Sequence, residues 1–377
     1  MSKILEQMAH GAELHTVAEN FNLSQADIVD FSSNINPFGF TEELWQTAAE
    51  ALLKSPAYPE DRAQSLRRKL AEKFSLDSEL IIVANGAADL IYRIAGFLSL
   101  EARRNKQEAA LNVLLAPSFS EYALALKAYE LELYYHYLHA ENRFCLEEGF
   151  LEFIEQSEAE ILSIWLCQPN NPTGQLIPSP LLGKIRQICR RKGIYLILDE
   201  CFLNFLEPER AAAYSLRAGQ SANEVILKSF TKLFAIPGLR IGYLETASPE
   251  LAQKLNSLIP AWQVSRPALA AAEEALDISE ARLSEWREKL EAERKRLQGV
   301  LAELGAEQIS GEANYLFFRY EDSDLQEKLL ANTPPILIRS CANYPGLDEH
   351  YFRIAVKDSK ANDTLAKALR KVRGVGR

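Results

Sequence analysis

Short apolar runs at 80–84, 111–116, 161–166, 194–198 and 225–227 are separated by stretches of helical periodicity. Apolar runs without polar alternation predict strands buried on both faces, and the intervening helices predict a mainly parallel sheet. Helical patterns come earlier too. One short pattern lies around 11–20. Thr41 is placed to cap the next helix, with Glu42 and Glu43 in its first turn and Leu44, Ala48 and Leu52 on one face. Another helix is predicted over 62–74. From 267 to 304, Ala, Glu, Arg, Lys and Leu dominate, which predicts a long helix or a bent pair. Beyond it, strand-like runs at 315–318, 335–338 and 351–356 mix with helical patterns near 323–331 and at the end of the chain. The fold class predicted is therefore α/β. A large domain over 41–264 carries the mainly parallel sheet flanked by helices, and a smaller α+β domain combines 1–40 with 265–377.

Composition narrows the partners. The 377 residues suffice for two full cores, and 25% charged with 47% hydrophobic residues is an ordinary soluble mixture. A net charge of −10 argues against nucleic acid or an anionic membrane as a general partner. An anionic substrate would need a local basic pocket, so individual arginines matter. Cys145, Cys167, Cys189, Cys201 and Cys341 are scattered, which predicts neither a zinc site nor a disulfide framework. With no signal peptide or membrane-length apolar run visible, the reading is a cytoplasmic protein. His136 and His139, in an aromatic run, read as strand-end residues rather than metal ligands.

Candidate chemistry concentrates after the apolar runs, where ligands sit in open parallel sheets. The densest stretch is Ser229-Phe230-Thr231-Lys232, with Arg240 eight residues past the lysine. The run 224–228 before it and 240–244 after it read as strands, with a Pro237-Gly238 turn between. A lysine held rigidly beside hydroxyls and an arginine suits a Schiff base to an aldehyde cofactor that also carries a phosphate. The plain alternative is a surface lysine in a polar turn. Gly86-Ala87-Ala88 follows a strand and opens a helix, where free N–H groups could bind phosphate, or it is an ordinary strand-to-helix turn. In Asn170-Asn171-Pro172-Thr173-Gly174 an asparagine fixed by proline could donate its amide to a ring hydroxyl or phenolate oxygen; otherwise it is a polar turn. Asp199 ends an apolar strand and needs a partner such as a protonated pyridine nitrogen, unless it caps the next element. Phe119 could stack on a flat heteroaromatic ring or belong to the core. Arg353, inside an apolar strand, fits a bidentate carboxylate, and Arg339 a second anion; internal salt bridges are the alternative.

In this order, across nearly the whole chain, these pieces resemble the fold-type I pyridoxal-phosphate enzymes of the class I/II aminotransferase superfamily. Asn36-Pro37-Phe38-Gly39 and Tyr58-Pro59-Glu60 are similar to the histidinol-phosphate aminotransferase branch. His10-Gly11, the run 30–39 and the run 336–347 are similar to a subgroup that decarboxylates a phosphorylated amino acid. The resemblance implies pyridoxal 5′-phosphate as cofactor, with Lys232 taking its aldehyde and moving protons. It implies Asp199 at the pyridine nitrogen, Asn171 at the phenolic oxygen and Phe119 stacked on the ring. Gly86, Ala87, Ala88, Ser229, Thr231 and Arg240 would hold the cofactor phosphate, joined by Tyr58 from the other subunit of a homodimer with shared sites. Arg353 would take the substrate carboxylate with Asn34 and Asn36 nearby, and Arg339 with His10 and Gly11 the substrate phosphate. Three departures stand out: Ala88 where relatives often have Ser or Thr, Phe202 where aminotransferases usually have Tyr, and Gly11-Ala12 where Gly-Gly is expected. Decarboxylation and transamination use the same residues, so a histidinol-phosphate-type aminotransferase remains an alternative, as does a binding protein that has lost catalysis.

Overall fold

The computed structural model describes residues 13–215, 217, 221–309 and 311–374. A short strand, β1 (Val29–Asp30), comes first. Strands β2 (Ile81–Ala84), β3 (Leu111–Ala116), β4 (Leu133–Tyr137), β5 (Ile161–Cys167), β6 (Tyr195–Asp199), β7 (Glu224–Ser229) and β8 (Gly242–Thr246) form one sheet, in the order β2-β8-β7-β6-β5-β3-β4. All neighbours are parallel except β8, which runs antiparallel to both β2 and β7. The inner strands alternate their apolar side chains between two cores. Ile82, Leu114, Trp165 and Leu227 face the helices Gly86–Asn105 and Ser120–Ala128. Val113, Ile164, Leu198 and Ile226 face Gly149–Gln156 and Ser179–Lys192. Each such side chain, fully buried, contributes roughly 1.5–3 kcal/mol. The mainly parallel, helix-covered sheet predicted from the apolar runs is therefore present.

A second, antiparallel sheet follows from β9 (Glu307–Ile309), β10 (Tyr315–Arg319), β11 (Ile336–Leu337), β12 (Arg339–Ser340) and β13 (Tyr351–Ala355). Its order is β12-β13-β10-β9, while β11 pairs in parallel with β1 instead. The run 335–338 thus forms strand only at Ile336–Leu337, and past Ile338 the chain joins the second sheet at Arg339–Ser340. The helices Glu280–Leu304 and Ser359–Val372 cover this sheet through Leu297, Leu301, Leu365 and Leu369.

Two local expectations need correction, at Leu52 and at Arg240. Leu52 is 61% exposed, while Leu44 and Ala51 are buried. At 100° per residue, the seventh residue after Leu44 returns to within about 20° of it, and the eighth lies about 80° away. Of the long helix or bent pair expected over 267–304, the structure shows the pair, Arg266–Asp277 and Glu280–Leu304, because Ser279 caps the second helix by accepting from Arg282 N at 3.3 Å. Arg240 precedes β8 rather than opening it, with φ 54°, as its side chain turns toward Gly86. His136 lies within β4 against the Phe150 ring at 4.7 Å, and His139 follows the strand. Among the described residues, no helix is long and apolar enough to cross a membrane.

Candidate active site

The carboxyl ends of β5, β6 and β7 lie along one edge of the large sheet, joined by the end of β2 and the start of β8. Ala84 and Ser229 both stand opposite Gly242. Just beyond Ala84, the helix Gly86–Asn105 begins, and Gly86 has φ +85°. A Cβ at Gly86 would stand 2.9 Å from Arg240 Nη2, and one at Gly242 would stand 2.9 Å from Ala87 N. Two glycines therefore let a helix N-terminus, its N–H groups and a guanidinium fork approach one another. The Ser229 and Thr231 hydroxyls are 2.7 Å apart, and Thr231 N donates to Ser229 Oγ at 3.1 Å. Ala88 is half-buried and offers this cradle only its main chain. The donors, dipole and cationic fork suit a phosphate.

Lys232 lies in the turn after β7. The segment 34–39 fixes that turn from outside. Asn36 N donates to Lys232 O at 3.0 Å, and Asn36 Nδ2 donates to Leu233 O at 2.8 Å. Asn36 Oδ1 accepts from Phe38 N at 3.1 Å, so this amide is engaged with main chain on both sides. A Cβ at Gly39 would lie 2.2 Å from Leu233 O and 2.9 Å from Phe234 C, both unyielding backbone atoms. Gly39→Ala should therefore displace the Lys232 turn and cost about 1–3 kcal/mol, as overpacking does. A lower melting midpoint together with weaker cofactor retention checks this; an unchanged midpoint would mean that the turn is not clamped here.

Lys232 is half-buried, but protein atoms surround its ammonium closely. Burial pushes its pKa down to about 8, helped by the positive charges of Arg353 and Arg240 and opposed by Cys201 and Asp199. A neutral, nucleophilic amine is thus accessible near neutral pH. Lys228 differs. Its ammonium is buried against the Glu200 carboxylate, which also accepts from Ser215 Oγ at 2.9 Å. Glu200 is structural.

Asp199 is 5% exposed at the end of β6. Its Oδ1 accepts from Cys201 N at 2.9 Å, and its Oδ2 accepts from the Tyr122 hydroxyl at 2.6 Å. Phe119, half-buried, meets the Tyr122 ring edge-on at 5.6 Å. Asn171 is buried, and its Oδ1 accepts from Arg353 Nη1 at 2.5 Å. Asn170 holds the turn by donating to Pro117 O at 3.0 Å and Thr173 Oγ1 at 2.9 Å. Phe202 packs edge-on against Tyr315 at 5.3 Å and brings no hydroxyl to the site.

Arg353 and Arg339 are direct cross-strand partners on β13 and β12, and each is 4% exposed. Arg353 has neutral partners: Asn171 Oδ1, and Ser32 O at 2.8 Å. Its Nε is buried without a hydrogen-bond partner among the described residues. Arg339 Nη2 donates to Asn343 Oδ1 at 2.8 Å, and its guanidinium lies 5.4 Å from the Tyr344 ring centroid. Asn34 is 3% exposed, and its Oδ1 has no partner among the described residues. A buried Arg353 Nε without a partner among the described residues, on a guanidinium whose other partners are neutral, is what a site shaped for an anionic ligand leaves behind.

Within this chain Tyr58 is not part of the cluster. It is 75% exposed and packs at a tilt against Trp262, with ring centroids 4.8 Å apart. His10 and Gly11 lie outside the described residues. Tyr122, Asn343 and Tyr344 are site residues that sequence reasoning missed. The signal for Tyr122 was available: a hydroxyl-bearing aromatic one helical turn past Phe119, on a strand-to-helix junction.

The chain matches the family described as Aminotransferase class I and II over residues 26–369, and it belongs to that family. Its cofactor is pyridoxal 5′-phosphate. The phosphate cradle, the Lys232 amine and the buried Asp199 carboxylate fit that group's phosphate, aldehyde and ring nitrogen. The chain is 34% identical to a threonine-phosphate decarboxylase of Salmonella typhimurium over 97% of this chain and 96% of that protein. Two solved structures are similar. The histidinol-phosphate aminotransferase of Clostridium acetobutylicum has a TM-score of 0.80 at 27% identity, covering 92% of this chain and 99% of the other. The L-threonine-O-3-phosphate decarboxylase of Porphyromonas gingivalis has a TM-score of 0.75 at 25% identity, with coverage of 92% and 99%.

Proposed function

We propose that the chain decarboxylates L-threonine O-3-phosphate to (R)-1-amino-2-propanol O-2-phosphate, the aminopropanol linker precursor of cobalamin. The observation that carries this reading is the Arg339–Arg353 pair. Like charges directly opposite each other on neighbouring strands repel. Burying two such guanidiniums side by side is favourable when one ligand brings two anionic groups. A carboxylate at Arg353 and a phosphate at Arg339 meet that need. His10 and Gly11 would add to the phosphate end, and the Asn34 amide to the carboxylate end.

When bound, pyridoxal 5′-phosphate supplies an aldehyde for the substrate amine and a ring that accepts the electron pair released with carbon dioxide. The chain's own residues do the rest. Gly86, Ala87, Ala88, Ser229, Thr231 and Arg240 anchor the cofactor phosphate. Asn171 faces the phenolic oxygen, Phe119 the ring and Asp199 the ring nitrogen. Lys232 can both release and return a proton, and it would deliver one to Cα after carbon dioxide has left. Which Cα bond breaks depends on how the two arginines hold the substrate.

The reading extends to assembly. The chain divides into a domain of 41–264 and a smaller one of 1–40 with 265–377. Phe40, Trp45, Leu52, Leu53, Tyr58 and Trp262 form exposed apolar surface, which favours a second copy of this chain as its cover. In such a homodimer Tyr58 of the partner subunit would complete the phosphate cradle. Cys145, Cys167, Cys189, Cys201 and Cys341 are all unpaired, as suits a reducing cytoplasm.

The test supplies purified holoenzyme with L-threonine O-3-phosphate and no oxo acid. Carbon dioxide in equal amount to aminopropanol phosphate is the expected result. Similarity to histidinol-phosphate aminotransferases supports the second reading, a transaminase. Turnover only with histidinol phosphate and 2-oxoglutarate, without carbon dioxide, would establish it and end the first.

A further inference from the structure

The function leaves one buried polar side chain at the site without a task. Tyr122 is 1% exposed in the helix Ser120–Ala128, and its hydroxyl donates to Asp199 Oδ2 at 2.6 Å. This is a charge-assisted bond between two buried groups separated by 77 residues in sequence. Nothing in the helix's own packing requires it. The Tyr122 ring is already seated, tilted against Trp165 at 5.7 Å and edge-on to Phe119 at 5.6 Å. A phenylalanine would make the same ring contacts. The hydroxyl therefore serves the carboxylate.

We propose that Tyr122 is the positioning residue of Asp199. Cys201 N holds one carboxylate oxygen from the following turn, and the Tyr122 hydroxyl holds the other from the facing helix. Two donors on different elements fix both the rotation of the carboxylate and its plane, so its remaining lone pairs have one direction. The phenol is suited to this work because burial, with Asp199 and Cys167 beside it, pushes its pKa well above the ordinary value. It keeps its proton and remains a donor. The same ring touches Phe119, so one side chain ties the residue facing the cofactor ring to the residue facing its nitrogen. Asp199 is then aimed at the ring nitrogen by a residue that need not touch the cofactor.

The inference rests on the assignment of Asp199 to the ring nitrogen, not on the choice of substrate. The test compares wild type, Tyr122→Phe, Asp199→Asn and the double variant. Each is reconstituted with cofactor labelled with 15N at the pyridine position. Tyr122→Phe should shift the 15N resonance toward that of an unprotonated pyridine and weaken cofactor binding about tenfold, as loss of a hydrogen bond to a charged group does. It should lower kcat more than it raises KM. In the Asp199→Asn background, Tyr122→Phe should add less than twofold, because its effect passes through the carboxylate. An unchanged 15N resonance and affinity in a folded Tyr122→Phe protein would overturn the proposal. Full additivity in the double variant would do so too, by showing that Tyr122 acts through packing. If instead Asp199→Asn alone left the 15N resonance unmoved, the Asp199 assignment would fall, and this inference with it. Carbon dioxide release from threonine phosphate would be untouched as evidence on the substrate.

Discussion

Replacing Lys232 with alanine is expected to lower turnover by about 10⁴-fold, the upper end of what a positioned acid–base group supplies. Reduction with borohydride should no longer fix the cofactor to the protein. The size of the effect follows from the surroundings. Lys228, the nearest lysine in sequence, is 4% exposed and ion-paired with Glu200, so it cannot stand in. Single-turnover kinetics on the reconstituted variant would check the chemical step apart from cofactor loading. Retention of full activity would remove every catalytic reading of this site, decarboxylase and transaminase alike.

Arg353→Gln should lower kcat/KM by roughly 10²–10³-fold. Removing one partner of a buried, hydrogen-bonded charge pair costs about 2–5 kcal/mol, and each 1.4 kcal/mol is tenfold. Arg353→Lys should recover little, because a point charge lacks the planar fork. A second effect should appear in the cofactor-free protein. The Arg353 charge helps hold the Lys232 ammonium down to about 8. Only the neutral amine attacks an aldehyde, so cofactor capture should be fast above about pH 8 and fall below it. Without the Arg353 charge, the Lys232 pKa rises, and that fall should begin at higher pH. Stopped-flow capture rates measured across pH read the shift directly. An unmoved midpoint would show that Arg353 does not act on Lys232, and an unchanged kcat/KM would place the substrate carboxylate elsewhere.

Much of the site was visible in the chain because each key group breaks a local pattern. Arg353 interrupts an apolar strand, Asp199 ends one, and Lys232 follows hydroxyls just past another. The sheet was legible for the same reason: strands buried on both faces leave continuous apolar runs. What escaped depends on contacts that local pattern does not encode. Tyr122 sits in the mostly apolar helix Ser120–Ala128, where an aromatic looks like packing until its hydroxyl is seen to meet Asp199. The Arg339–Arg353 pairing depends on the register of β12 against β13, which the intervening turn sets. Asn36 looked like a ligand-binding amide, yet it is bonded to the main chain of Leu233, 197 residues away. The break at Ile338 escaped because the residues on either side of it, Ile336–Leu337 and Arg339–Ser340, pair with strands from opposite ends of the chain.

The segment 32–36 carries a consequence for how the site is assembled during synthesis. Asn36 reaches forward 197 residues to Leu233, and Ser32 O receives Arg353 from 321 residues away. All strands of the large sheet lie between 81 and 246, so the emerging polypeptide contains Lys232 and the cluster of Gly86, Ser229, Thr231 and Arg240 well before Arg339 and Arg353. Closing the first of these chain loops costs nearly as much entropy as closing the second, since the cost grows only with the logarithm of length. Their order is therefore set by translation: the ribosome delivers the half of the site that bears Lys232 first and the half that bears Arg339 and Arg353 last.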